Sequence, residues 1–559
     1  AKELGLWLLT QLPPDSQIAV LGVWAGARNR VEVPMGYWRM IERHGTRDQK
    51  RDGGWNYAVE RRNRLKGQGY GSMTTAGLAT LFICMDNLHG KDFVRCRANT
   101  DTAAIIRGMK WMDANFSATS NPKRAGHYYY YLYGVERVGL ASGYKYFGTK
   151  DWYKLGAKAL IARQSANGSW QGRLLETTFA MLFLTRGQHP VLFNKLQYPG
   201  MWNSRPRDLA NLTRWISTSF ERPVNWQIIH LGVPVAEWHD APILYISGAA
   251  PPKFTDKDLT KLRDFVAQGG VILSEAACNN APFDKGMRAA YAKIFPRYEL
   301  KTLPADHPVY TLHYRIGAGR GLQGISNGVR LLAIHSPPEV SLAWQLRKYR
   351  SGADVFQLGA NIYFFVTDKG ILPPRGVSRW PKVNAFTPTE TLKVARVKHA
   401  GNWDPEPFAW KRFAILMGNR HSVKVEIGPP TELTKLDPTV WPVAAMTGTT
   451  SFELTAAERA ALSKFLSDGG TLIVDAAGGG ERFTDAVEKE FKAALPGARY
   501  GMIPADHAMF TKVGPKIAKA TYRKALRLAV FDSKKPRLRG FWLKGRLAVI
   551  FSPDDLTAG

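Results

Sequence analysis

Leu262-Arg-Asp-Phe265-Val-Ala-Gln-Gly269-Gly270-Val-Ile-Leu-Ser-Glu275 and Leu462-Ser-Lys-Phe465-Leu-Ser-Asp-Gly469-Gly470-Thr-Leu-Ile-Val-Asp475 are one segment written twice, 200 residues apart. Each reads as the end of an amphipathic helix, a Gly-Gly stop, and a short apolar strand that ends on a carboxylate. The register holds without a gap across 241–310 and 441–510: Pro242, Gly248, Thr255, Phe283 and Pro296 meet Pro442, Gly448, Thr455, Phe483 and Pro496. Pro304-Ala-Asp306-His307 returns as Pro504-Ala-Asp506-His507. Ungapped identity over that span marks an internal duplication.

The repeat extends outward with small shifts. Gly200-Met-Trp202-Asn203 answers Gly401-Asn-Trp403-Asp404, and Arg330 to Pro337 answers Arg546 to Pro553. Each copy reads strand, helix, strand, strand, helix, strand, with strands in the first near 226–231, 242–247, 271–275 and 329–335. Thr255 is placed to cap a helix over 256–268. Short apolar strands alternating with helices predict a mainly parallel sheet covered on both faces. The first copy continues through a helix near 353–370, and the second ends before its equivalent, as if truncated at its C-terminus.

Residues 1–190 carry helical periodicity near 17–29, 34–49, 71–88, 101–117, 127–143, 151–164 and 174–187. The blocks at 71–88 and 174–187 are apolar almost all round, as inner helices are; those at 34–49 and 151–164 carry more charge. Gln49-Lys-Arg-Asp52-Gly53-Gly54-Trp55 and Gln164-Ser-Ala-Asn167-Gly168-Ser169-Trp170 repeat one motif. In each, Gln ends a helix, Asp or Asn and Gly make the turn, and Trp covers the junction.

This motif resembles the Gln–Trp repeat of squalene–hopene cyclases and protein prenyltransferase β-subunits, which are α/α toroids. The resemblance covers the first third of the chain and implies a toroid fragment whose front half lies outside this sequence. Those cyclases protonate substrate with an Asp-x-Asp-Asp segment. The nearest counterpart is Asn99-Thr100-Asp101-Thr102, where Asp101 reads as a helix cap. No zinc set of prenyltransferase type is visible. Inner-helix residues His127, Tyr128, Tyr131 and Glu136 are the candidates for a lumen-binding wall, against a reading of the tyrosines as core.

Leu262 to Glu275, with Asp306-His307-Pro308, resembles the ThuA-like branch of the class I glutamine amidotransferase-like fold. A toroid followed by such a tandem pair resembles an uncharacterised bacterial domain family found in planctomycete-type proteins. The expected class is therefore an all-α toroid fragment plus two doubly wound, flavodoxin/amidotransferase-like α/β domains. The divisions are 1–190, 191–372, a linker over 373–392, and 393–559. Amidotransferase chemistry needs a Cys nucleophile at a strand-to-helix elbow. Here Glu275 and Asp475 hold the strand end, and Cys278 faces Gly478 in the sister copy, which argues against that activity.

Ligands of open α/β sheets bind beyond the carboxyl ends of the strands. Glu275, Asp306 and His307, with Asp475, Asp506 and His507, are the candidate rim, able as residue types to hold a metal or to act as acid and base. The alternative is that Asp and His only close their loops.

Composition bounds the rest. The chain has 559 residues, 45% hydrophobic and 22% charged, enough for several cored domains. It has no run of 18 apolar residues, so no spanning segment is read. The net charge is +31, densest along Lys516, Lys519, Arg523, Lys524, Arg527 and on through Lys534, Lys535, Arg537, Arg539, Lys544 and Arg546. An anionic polymer or surface is the partner that charge suggests, with no specific nucleic-acid motif beside it. Cys84, Cys96 and Cys278 show no metal spacing and read as reduced and buried. No cofactor motif or metal site is read. The chain opens on Ala-Lys-Glu in what reads as mid-domain, with no signal peptide, and the cell envelope is favoured over the cytoplasm. The expected role is a non-enzymatic binding or assembly protein. The alternative is an enzyme, either a hydrolase at the strand-end rim or an isoprenoid-processing toroid.

Overall fold

The computed structural model describes residues 13–29, 31–57, 67–94, 96, 102–317, 321–367, 370–378, 380–512, 517, 520, 522, 534 and 536–556, with 13–16 by backbone alone. It divides into two compact units, 1–324 with 333–379, and 325–332 with 380–559.

Among the described residues, seven helices open the first unit: α1 Pro13–Arg28, α2 Met35–Arg47, α3 Gly71–Leu88, α4 Ala103–Asn115, α5 Tyr128–Ser142, α6 Trp152–Ile161 and α7 Leu174–Gly187. α3, α5 and α7 pack in a row, with α2, α4 and α6 laid against them. α3 is buried along most of its length, as its all-round apolar character requires. α7 departs from the same expectation: Leu174 is 85% exposed, and Leu175 and Met181 are also exposed. Asp101 lies outside the described residues.

The two Gln–Trp segments share three hydrogen bonds. Gln49 Nε2 donates to Gly53 O at 2.8 Å, and Gln164 Nε2 donates to Gly168 O at 2.9 Å. The indoles of Trp55 and Trp170 donate to Gly45 O and Leu160 O, each at 2.8 Å. Their backbone amides reach Thr74 Oγ1 and Thr177 Oγ1, each at 3.1 Å.

The first α/β domain runs through β1 Val191–Gln197, α8 Asp208–Ser219, β2 Asn225–His230, β3 Ile243–Gly248, α9 Asp256–Ala267, β4 Val271–Ala276, α10 Ala281–Ile294, β5 Leu300–Thr302, α11 Pro308–Thr311, β6 Gln323–Ser326, β7 Leu331–Ser336, α12 Ser341–Gln345 and α13 Ala353–Val366. The second runs through β8 Glu390–Lys398, α14 Ala409–His421, β9 Val423–Glu432, β10 Val443–Gly448, α15 Ala456–Ser467, β11 Thr471–Ala476, α16 Glu481–Ala494, β12 Arg499–Met502, α17 Ala508–Thr511, β13 Arg539–Leu543 and β14 Arg546–Ser552. Each forms a seven-stranded sheet, ordered β2-β1-β3-β4-β7-β6-β5 and β9-β8-β10-β11-β14-β13-β12. The first five positions of each order are parallel. β12, β13 and β14 pair antiparallel.

The quoted segment behaves identically in both copies. Thr255 and Asp258, and Thr455 and Glu458, each close a capping box. Gly269 and Gly469 take left-handed φ of 99° and 103° at the helix end. Gly270 N then donates to Phe265 O at 3.0 Å and Gly470 N to Phe465 O at 2.9 Å, the Schellman closure. β1 sits inside the sheet but lay outside the expected strands. Asn194 and Lys195 interrupt its apolar pattern, and both are fully buried with partners: Trp238 O for Asn194 and Asp208 for Lys195. β8 begins at Glu390, so the strand starts inside the expected linker.

The helices and the first sheet share one compact unit because charged groups cross between them. Arg207, just before α8, donates to both oxygens of Asp86 on α3, at 2.7 and 3.1 Å, and Arg214 adds a contact at 3.3 Å. Burial alone would push Asp86 up, but the two guanidiniums hold its carboxyl below the ordinary value. Lys145 meets Glu237 at 2.7 Å and Asp240 at 2.8 Å. The expectation of three reduced cysteines is corrected: Cys84 is free, but Cys96 and Cys278 form a disulfide. Their 182-residue separation hides in sequence a proximity that only the packing creates.

Asp86→Ala would leave Arg207 buried and unpaired, a loss of about 3–5 kcal/mol. Urea denaturation of the full chain measures it; a loss below about 1 kcal/mol would contradict the role of the pair.

Candidate functional site

The six rim candidates divide between separate environments. Glu275, at the end of β4, has no exposed surface and accepts four hydrogen bonds. They come from Tyr245 OH and Ser247 Oγ, both at 2.8 Å, and from the amides of Val340 at 2.8 Å and Ser341 at 3.0 Å. It therefore ties the loop beyond β7, and the start of α12, to the sheet. Asp475 does the same in the second copy, accepting the amide of Leu556 beyond β14 at 2.8 Å.

His307 and His507 cap the short helices α11 and α17. Their Nδ1 atoms accept from the amides of Val309 at 3.1 Å and Met509 at 3.2 Å. Burial pushes the His307 imidazole below its ordinary value. Asp306 and Asp506 are exposed, and each uses its backbone oxygen to receive the hydroxyl of Thr311 or Thr511. No hydrogen bond joins Glu275 to His307 or Asp475 to His507 among the described residues. β11 and β12 lie three strands apart, roughly 14 Å at the usual spacing. Among the described residues, no group of three or more His, Cys, Asp or Glu is placed to hold a metal.

A set that sequence reading missed lies in the first domain. Ser274 Oγ meets His335 Nδ1 at 2.7 Å, His335 Nε2 meets Asp284 Oδ1 at 2.7 Å, and Tyr291 OH meets Ser274 Oγ at 2.6 Å. With Nε2–H given to the carboxylate, Nδ1 accepts from Ser274, the order of a serine-hydrolase relay. Ser274 and His335 have no exposed surface, so no carbonyl substrate reaches the hydroxyl. Burial lowers His335, which keeps the ring neutral. The second copy carries Val474, Thr484, Phe491 and Phe551 at these positions. The polar-to-apolar change at three of the four positions, with the carboxylate lost at the fourth, is the readable signal. Cys278 sits in a left-handed strand-to-helix turn at φ 63°, but its sulfur is tied to Cys96.

The lumen candidates separate in the same way. His127 is exposed at the start of α5. Tyr128 OH donates to Ala118 O at 2.7 Å, and Tyr131 OH accepts from Ser117 N at 3.4 Å, so both phenols are used in packing. Glu136 alone of the four lines a cavity of about 810 Å³ walled by α1, α3, α5, α7 and α8. It has no exposed surface, and neither carboxyl oxygen has a hydrogen-bond partner. Burial pushes it up to about 7, against the pull of Arg137, Arg186 and Arg375.

Of the terminal basic run, Lys516, Lys519, Arg523, Lys524, Arg527 and Lys535 lie outside the described residues. Arg537 pairs with Asp554 at 2.9 Å, Arg539 with Glu488, and Arg546 donates to Gly470 O at 2.8 Å. No helix among the described residues is long and apolar enough to cross a membrane.

One family model, described as a domain of unknown function (DUF4159), matches the chain twice, over residues 192–363 and 393–559. No curated protein matches it.

Glu136 sets a pH dependence of stability. Its folded value lies above the ordinary 4.5, so its contribution is full below 4.5 and is lost as pH rises through about 7. Urea denaturation at pH 5 and pH 8 is expected to differ by about 2.5 kcal/mol more in the parent than in Glu136→Gln. Equal differences in the two proteins would show that the carboxyl is solvated or paired.

Proposed function

We propose, for a chain that belongs to this family of domains of unknown function through both of its α/β domains, a non-enzymatic binding or assembly role. In this reading the helical part is a fragment of an α/α toroid and takes the ligand. The tandem α/β pair is of ThuA-like, doubly wound type and acts as scaffold. The matching hydrogen bonds of the two Gln–Trp turns, and the inner row of α3, α5 and α7, support the toroid. The five parallel positions ordered 2-1-3-4-7 support the doubly wound assignment.

The observation that carries the proposal is what the duplicated polar groups do. Glu275 is saturated by four donors with no exposed surface, and Asp475 holds the matching loop. His307 and His507 spend the same ring nitrogen on the same cap. A saturated Glu275 and two histidines that spend Nδ1 on a cap count against an acid–base or metal role for these groups.

A second reading, the isoprenoid-processing toroid, keeps one favourable observation: Glu136 places a protonatable carboxyl behind the cavity wall. Arg28, Arg137, Arg186 and Arg214 line the same space, and their charge raises the cost of any carbocation formed there.

The double variant His307→Ala, His507→Ala separates scaffold from site. Its expected effect is a stability loss of about 1 kcal/mol for each lost cap. Calorimetric titration with Zn²⁺ or Mn²⁺ is expected to match the parent. Cation binding present in the parent and absent in the variant would return the rim to a metal-site reading.

A further inference from the structure

The cavity beneath α5 has an unbalanced charge. On α1, Arg28 stacks over the Trp24 ring at 4.9 Å, and Arg137 of α5 lies over the same ring at 5.6 Å. One indole thus gathers two guanidiniums, and α7 adds Arg186 to the lining. Among the described residues, none of these three has a carboxylate within ion-pair distance. α8 contributes Arg214 and the preceding loop Arg207, but both are committed to Asp86 of α3, the one ionised carboxylate on the wall. Burial lowers Arg28, and repulsion from Arg214, Arg137 and Arg186 lowers it further, the mark of crowded like charge. His189, after α7, is pushed down by burial and Arg186 and stays neutral at pH 7.

Beside the guanidiniums lie the apolar Leu21, Phe82, Ile83, Leu140, Phe179 and Leu182, with Thr213, Ser217, Thr218 and Asn225 on the side of α8. A volume of about 810 Å³ falls in the range of roughly 300–1,000 Å³ that binds small molecules. Glu136 also belongs to this wall, with its unpartnered carboxyl sealed behind the surface.

We propose that this cavity is the binding site for an anionic amphiphile, an apolar chain carrying a phosphate or carboxylate head. Arg28, Arg137 and Arg186 take the head and the apolar residues take the chain, while Glu136, sealed behind the arginines, feels the charge of the head without touching it. The inference rests on the binding reading above and names its ligand class. A bound anion beside Glu136 favours the protonated carboxyl, so binding takes up a proton. Affinity therefore falls as pH rises through about 7.

The test is calorimetric titration of the full chain with dodecyl phosphate and dodecanoate, with hexyl phosphate, inorganic phosphate and dodecanol for comparison. Either dodecyl anion is expected to bind at least about ten-fold tighter than dodecanol. Each two methylenes between hexyl and dodecyl phosphate should tighten binding by about ten-fold. Arg186→Ala should weaken the anions about ten-fold and leave dodecanol unchanged. Glu136→Gln should keep binding but lose its fall between pH 6 and pH 8. Phosphate favoured over carboxylate, or the reverse, identifies the head, and both support the proposal. Dodecanol binding as tightly as the anions overturns the anionic head. Inorganic phosphate matching dodecyl phosphate overturns the chain. Anion binding untouched by Arg186→Ala overturns the site, and no binding by any probe overturns the proposal outright. None of these outcomes bears on the two histidine caps, whose failure would be read in the cation titration.

Discussion

A carboxylate buried on an apolar helix is the constraint from which the first unit is built. Asp86 sits on α3, whose other residues bury almost all round, and an unpaired charge there is prohibitive. Arg207 answers with two hydrogen bonds and Arg214 with a third contact, so the start of α8 must lie against α3. α8 follows β1, the strand at the reversal of the sheet order. Fixing α8 therefore fixes the whole first sheet against the helices. The cavity forms in the same step, because α8 closes a space that α1, α3, α5 and α7 leave open. Cys96–Cys278 and Lys145 with Glu237 and Asp240 tie the same two parts at other points.

The two α/β copies show which polar groups the fold itself requires. The capping boxes, the Gly-Gly closures, the strand-end acids and the histidine caps are shared, and each makes the same bond in both copies. The first copy adds buried polar groups that the second lacks. Lys195 pairs with Asp208 at 2.8 Å with both nearly sealed, whereas the second copy places Arg396 against Asp404 in a half-exposed pair. Ser274, Asp284, Tyr291 and His335 give way to Val474, Thr484, Phe491 and Phe551. The shared set satisfies loop amides that any such sheet exposes at its strand ends. The added set belongs to the copy that also packs against helices.

Sequence carried the architecture because its signals were local and repeated. Thr255, Gly269 and Gly270 act on backbone within a few residues, so their twins at Thr455, Gly469 and Gly470 announce the same turn. The seven helices described before residue 190 fall where apolar periodicity places them. β1 was hidden because Asn194 and Lys195 look like loop residues until Trp238 and Asp208 are brought to them across the fold. The candidate site was less legible for the same reason. Recurrence in both copies selected Glu275 and His307, and recurrence is what structural necessity produces. The cavity depends on Trp24, Glu136 and Arg186, which lie far apart in sequence and share a wall only after α1, α5 and α7 pack.

The charge in that cavity is a different kind of fact from the +31 of the whole chain. Surface cations are hydrated and screened within about 10 Å at ordinary salt, so a high net charge alone selects no partner. Arg537, Arg539 and Arg546 illustrate this, since the fold already engages all three. Arg28, exposed at the rim, and the part-buried Arg137 and Arg186 instead border one recess, where each guanidinium raises the field felt by the next. Among the described residues, Glu136 is the acid best placed to offset them, yet burial pushes its carboxyl towards the neutral form. Relief comes from a group that brings negative charge and also covers the apolar side chains of the recess. An anionic head on an apolar chain does both, whereas a bare ion leaves those side chains in water.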